Sequence, residues 1–144
     1  MGNILDYMAA DHSHCDELFT IAENFAADSD WGKLETSFQL FKAGMEKHFQ
    51  KEESLLFPGI ENQMQSPGGP TQVMRMEHQQ MRELMENLSA WIEKQDQAEF
   101  LGEAETILIM MQQHNMKEEQ ILYPMIDQLF GSDAASVIEE MEQL

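Results

Sequence analysis

Six residues of this 144-residue chain have the types and the spacing of a metal-binding set. His48 precedes Glu52 by four positions, and His114 precedes Glu118 by four. Residues four apart stand on one face of an α-helix, so each pair aims an imidazole and a carboxylate the same way. Both pairs open a fourteen-residue unit, His48 to Glu61, which recurs 66 residues later as His114 to Asp127. Half of its positions are identical, among them Lys51/Lys117, Glu52/Glu118, Glu53/Glu119, Leu56/Leu122 and Pro58/Pro124. The same offset places His12 on His78, Met8 on Met74 and Leu18 on Leu84. From His12 to His48, and from His78 to His114, the interval is 36 residues. The pattern is therefore H-(x35)-H-x-x-x-E, written twice.

Four imidazoles and two carboxylates without a thiolate suit iron, manganese or zinc better than copper(I) or an iron–sulfur cluster. They are too many for one structural tetrahedral zinc. They suit two ions, each held by two imidazoles and bridged by both carboxylates and an oxo or hydroxo group, with room left for an outside ligand. Two iron ions are the expected occupants, with manganese or zinc as alternatives.

The elements that must bring these residues together are helices. Glu, Gln, Met, Leu and Ala dominate, with 13 methionines. A first helix starts near Asn3 and ends near Ala27, turning Leu5, Met8, His12, Cys15, Phe19, Ala22 and Ala26 inward. A second carries Leu34, Phe38, Phe41, Met45, His48, Glu52 and Leu55, and is ended or bent by Pro58-Gly59. Gln65 to Pro70 reads as a loop. A third helix from about Thr71 presents Met74, His78, Met81, Met85, Leu88 and Ile92. The fourth, capped by Asp96, presents Phe100, Ala104, Ile107, Met111, His114, Glu118 and Ile121. Ser132 is placed to cap a short fifth helix with Val137, Ile138 and Met141 on its apolar side, packed across the bundle or its open end. The fold expected is all-α: an up-down-up-down four-helix bundle with a short C-terminal fifth helix, one domain over 1–144 built from repeats at about 3–61 and 71–127. All six candidate ligands fall in inward series. Burying them costs several kcal/mol unless they are paired or bound to an ion.

The bulk composition excludes other classes. Asp and Glu number 27 against eight Lys and Arg, for a net charge of −19. Nucleic acids and anionic membranes both require a cationic face, so neither is an expected partner. A cationic protein would suit the acidic surface. No run of about 18 apolar residues spans a membrane. No secretory signal is visible, and the lone Cys15 suits a reducing compartment, so a cytoplasmic location is expected.

The duplicated His…His-x-x-x-Glu pattern resembles the hemerythrin-like, HHE cation-binding family over Asn3 to Asp127. The resemblance implies a di-iron site with His12, His48, Glu52, His78, His114 and Glu118 as ligands. The oxygen-carrying members have a further histidine where this chain has Met74. They place an Asp five residues after the last ligand histidine, where this chain has Glu118 at four and Glu119 at five. The chain is thus closer to four-His, two-Glu members, linked to nitric-oxide stress, iron–sulfur repair, peroxide breakdown or iron and oxygen sensing. The expected function is binding of O₂, NO or peroxide at a bridged two-metal centre. A peroxide- or NO-consuming enzyme and an iron donor or sensor are the alternatives.

Beside the set, His14 lies about 200° around the helix from His12 and reads as a surface residue. Cys15 reads as a small buried apolar residue. Met8, Met45, Met74 and Met111 read as core around the site. Tyr123, whose repeat counterpart Phe57 lacks a hydroxyl, reads first as core packing. Glu53 and Glu119 lie 100° off the ligand face as outer or surface groups, with Glu119 the better spare ligand. Lys51 and Lys117 are expected to reach outward.

Overall fold

The computed structural model describes residues 3–64 and 69–144. Helix α1 runs over Ile4–Ala27, α2 over Trp31–Lys51, α3 over Phe57–Met64, α4 over Pro70–Lys94, α5 over Gln97–Lys117, α6 over Tyr123–Phe130 and α7 over Ala134–Glu142. The long helices α1, α2, α4 and α5 form the up-down-up-down bundle, with α1 against α2 and α5, and α4 against α5 and α2. Each start is fixed by a short polar side chain or by geometry. Asn3 accepts from the Asp6 amide at 2.7 Å, Asp30 from Lys33 and Asp96 from Glu99. Gly69, at φ 98°, adopts a conformation that favours glycine and delivers Pro70 to the first turn of α4. The loop read from Gln65 onward lies outside the described residues as far as Gly68.

The chain stays helical past both prolines, so Pro58-Gly59 does not end its helix. Between α2 and α3 the chain passes through a π-helical turn, Glu52–Leu56, and between α5 and α6 through its repeat, Glu118–Leu122. In these turns the Phe57 amide donates to Glu52 O, and the Tyr123 amide to Glu118 O. A wider ring holds one extra residue. The inward series therefore slips by one: Leu56 and Leu122 are buried, whereas Leu55 is half-buried and Ile121 exposed. Uniform α-helical stepping had put Leu55 and Ile121 inside. Two smaller corrections concern the termini. Ile4 rather than Leu5 is buried at the start of α1, where both amides are held by the Asp127 carboxylate at 2.6 and 3.0 Å. At the other end, Gly131–Asp133 is a 3₁₀ turn, so Asp133 and not Ser132 immediately precedes α7.

The core is two apolar clusters with a polar layer between them. One lies toward the α1–α2 and α4–α5 turns and includes Phe19, Phe38, Phe41, Phe49, Met85 and Phe100. The other joins the start of α1 to α3, α6 and α7 through Ile4, Met8, Leu56, Phe57, Ile126 and Met141. Val137 and Ile138 are partly buried against it. In α1, His12 separates Met8 of one cluster from Cys15 of the other. Among the described residues no helix is long and apolar enough to cross a membrane.

Candidate metal centre

The polar layer contains all six expected residues. His12, His48, Glu52, His78, His114 and Glu118 are each at most 4% exposed. Glu52, His78, His114 and Glu118 converge as one group that could hold a metal ion, and His12, His48 and Glu118 as another. Glu118 belongs to both. The two groups sit side by side, with His12 and His48 ring centroids 4.6 Å apart and those of His78 and His114 5.1 Å apart.

Four outer carboxylates orient the four imidazoles. Asp11 Oδ2 lies 2.7 Å from His48 Nδ1, and Glu77 Oε1 lies 2.7 Å from His114 Nδ1. Glu53 Oε2 lies 2.6 Å from His78 Nδ1, and Glu119 Oε2 lies 2.6 Å from His12 Nδ1. A carboxylate at such distances accepts, so each Nδ1 carries the proton and each Nε2 is left facing the centre. Glu53 and Glu119 thus serve as outer acceptors, as their offset from the ligand face implied. Asp11 and Glu77 were not singled out from the sequence. Their signal was there: each directly precedes the α1 or α4 histidine, and the two coincide at the 66-residue offset.

Cations stand behind three of these carboxylates. Lys51 Nζ is 3.5 Å from Asp11, Lys117 pairs with Glu77, and Arg82 donates to both Glu53 oxygens at 3.1 Å while gripping Glu46. Lys51 is buried against the Tyr7 ring rather than directed outward, because Asp11 gives its charge a partner inside. Asp11 is lowered from the ordinary carboxylate value: burial opposes ionisation, but His48 and Lys51 outweigh it. Glu53 and Glu77 are lowered in the same way, burial being overcome by Arg82 and His78 and by Lys117 and His114 respectively.

Inside the layer the charges are unevenly placed. Glu52 is raised by burial and by the charge of Glu118, whereas Glu118 is held well below its ordinary value, burial being overcome by His114 and other donors. His48 is pulled down by burial but raised overall to about 10 by Glu52, Asp11 and Glu118. His114 follows to about 9, with Glu118 as the chief opposing charge to burial. Without an ion, protons on these imidazoles balance the carboxylates.

Four inward atoms are left without hydrogen-bond partners: Glu52 Oε1, His78 Nε2, His114 Nε2 and Glu118 Oε2. His78 Nε2 and Glu52 Oε1 are 3.0 Å apart, yet the pair lacks hydrogen-bond geometry. Buried polar atoms without partners are rare, and a shared cation would satisfy all four. The donor set is imidazole and carboxylate throughout. Cys15, buried one turn from His12, contributes nothing to it, and burial pushes its thiol up to about 12. The model of the hemerythrin HHE cation-binding domain matches residues 3–126. The chain belongs to the hemerythrin HHE family. No curated protein and no solved structure matches the chain. Within this HHE domain, then, the histidine–glutamate cluster is the cation-binding element.

Tyr123 packs in the core as expected, and its hydroxyl also reaches into the polar layer. Its hydroxyl lies 2.7 Å from Glu52 Oε2, 2.9 Å from Glu118 Oε1, 3.2 Å from His12 Nε2 and 3.4 Å from His48 Nε2. Five residues separate it from Glu118. On an α-helix that is about 140° away, but the π turn brings the two back to one face. Burial and the charges of Glu118 and Glu52 hold the phenol well above its ordinary value, so it remains a donor. Phe57, its counterpart, stacks on His78 with centroids 5.7 Å apart. His14 is exposed, as expected.

Proposed function

We propose that this HHE domain holds two metal ions, iron before manganese or zinc, and binds a small ligand of the O₂, NO or peroxide class beside them. His78 and His114 would hold one ion and His12 and His48 the other, with Glu118 and Glu52 shared. The observation that carries this reading is the common aim of four Nε2 atoms, each fixed by a carboxylate on Nδ1. Such outer acceptors set the tautomer and raise the basicity of a ligand imidazole. When bound, two iron ions supply redox-active positions at which a small molecule can be held.

The residues of the chain do the rest. The two apolar clusters exclude bulk water from the layer, which strengthens every charge interaction inside it. Tyr123 offers a protonated hydroxyl on the His12/His48 side, suited to donate to an oxygen-bearing ligand. The Phe57 side has no such donor. Net reduction of NO or peroxide would need electrons from a donor outside the chain, whereas dismutation of peroxide would need only peroxide.

The test is anaerobic reconstitution with Fe(II), a metal count, and absorption spectra under O₂, NO and H₂O₂. Two ions per chain and a ligand-dependent spectrum are expected. A count at or below one, or full loading of a His48→Ala/His114→Ala variant, would overturn the reading.

A further inference from the structure

The two halves of the centre are related by the 66-residue repeat, but their surroundings are not. A groove of about 590 Å³ between α1 and α5 reaches His12, lined by Ala9, Ser13, Asp16, Asn115 and Glu119. At the repeat offset these positions become Arg75, Gln79, Arg82, Phe49 and Glu53. In each pair but the last, the His12 side has the shorter side chain. Phe49 stacks on His78 at 4.1 Å and 19°. Arg82 lies over Phe49 at 5.0 Å and clamps Glu53. Arg75 lies over Phe57 at 5.4 Å, grips Glu61 and donates to Glu53 O at 3.3 Å. That carbonyl needs such a donor, because Pro58 has no N–H for the π turn. His78 is accordingly sealed, at 0% exposure.

The other half has none of these covers. Asn115 replaces the stacking ring, and Ala9 leaves open the space that Arg75 fills. Asp16 stands where Arg82 does, so among the described residues no cation pairs with Glu119. The Glu119 side chain is 38% exposed against 22% for Glu53. One orienting carboxylate is thus clamped by an arginine, and the other, among the described residues, is held by His12 alone and faces the groove.

We propose that this groove is the port through which a divalent cation enters and leaves the His12/His48 position, while the ion at His78/His114 stays enclosed. The inference rests on the two-metal reading above. Its negative lining, Asp16 and Glu119, favours a cation in transit. Glu119 both holds His12 and faces water, so its movement releases the imidazole and opens the path together.

The experiment loads the protein anaerobically with Fe(II), counts the metal, and follows transfer to excess ferrozine by absorbance. Two phases of equal amplitude are expected, one ion per chain leaving at least ten times faster than the other. Asn115→Phe, which copies the seal of the other half, should slow the fast phase at least ten-fold with the count kept at two. Asp16→Arg, an exposed substitution that supplies Glu119 with the missing cation, should slow it in the same direction. A single rate for both ions in the unaltered protein overturns the port, as does an unchanged fast phase in both variants. A count at or below one overturns the two-metal reading itself and is thereby distinguished from failure of the port.

Discussion

Glu53 Oε2 lies 2.6 Å from His78 Nδ1, so a residue of the first repeat orients a histidine of the second. Glu119 returns the relation to His12 at the same distance. Asp11 and Glu77, by contrast, act within their own repeats. Each half of the chain therefore depends on the other for one of its imidazoles, and the centre is complete only when both are folded together.

The outer carboxylates should tune metal affinity without building the fold. Asp11→Asn is expected to weaken Fe(II) binding about 10- to 100-fold, because the His48 imidazole loses its charged acceptor. Chelator competition measures the affinity, and far-ultraviolet circular dichroism should show helicity unchanged. An affinity within two-fold of the unaltered protein would remove Asp11 from this role.

Tyr123→Phe should leave the bundle intact and unsettle its polar layer. The Glu52 and Glu118 carboxylates lose a buried donor, which costs about 1–3 kcal/mol of metal-free stability. Urea unfolding of the metal-free protein reads this directly. The reciprocal Phe57→Tyr places a hydroxyl on the His78 side, and the ligand-dependent spectrum should then change.

Protonation of His48 and His114 makes metal-free stability fall with alkaline pH. Burial disfavours both cations, but Glu52 and Asp11 around His48 and Glu118 around His114 outweigh it, raising them from 6.5 to about 10 and about 9. A raised folded-state pKa contributes stability that is complete below the unfolded value and is lost as pH rises through the folded one. The decline should therefore run from about pH 6.5 to about pH 10. Metal uptake at neutral pH should expel protons, and the loaded protein should lack the decline. Denaturant midpoints across that range, with and without Fe(II), check both; a flat metal-free profile would contradict the assignment.

Two helical glycines should respond in opposite senses to alanine. A Cβ at Gly102 meets nothing within 4 Å, so Gly102→Ala should stabilise α5 by about 0.5–1 kcal/mol. At Gly59 the same atom would stand 2.7 Å from Phe130 Cε1 and 2.8 Å from Cζ. Phe130 is packed against the α3–α6–α7 cluster. Gly59→Ala should consequently destabilise by about 1–3 kcal/mol despite the better helix former. Thermal unfolding of the pair settles the signs.

Much of this architecture was legible because burial follows a simple period. The inward positions of α4, from Met74 to Ile92, are buried as stepping by threes and fours requires. Histidines at His12, His48, His78 and His114 interrupt that apolar series, and their interruption is what located the layer. Legibility failed where the period itself changed. Leu56, Leu122 and Tyr123 all lie at or just beyond π turns, which uniform α-helical counting cannot register. Asp11 was missed and Lys51 was expected to reach outward for another reason: their partners are on neighbouring helices, and pairing across helices leaves no trace in one helix's own spacing.

The π turns also bear on how such a site could be built anew. A designer who grafts the four histidines and two glutamates onto uninterrupted heptads would point Ile121 into the core and Leu122 at solvent. Tyr123 would then be carried away from the layer it now completes. One inserted residue lets a single rod present His114 and Glu118 above it and the Tyr123 phenol below from the same side. Copying the spacing of these residues without that insertion would reproduce their identities and lose their neighbour.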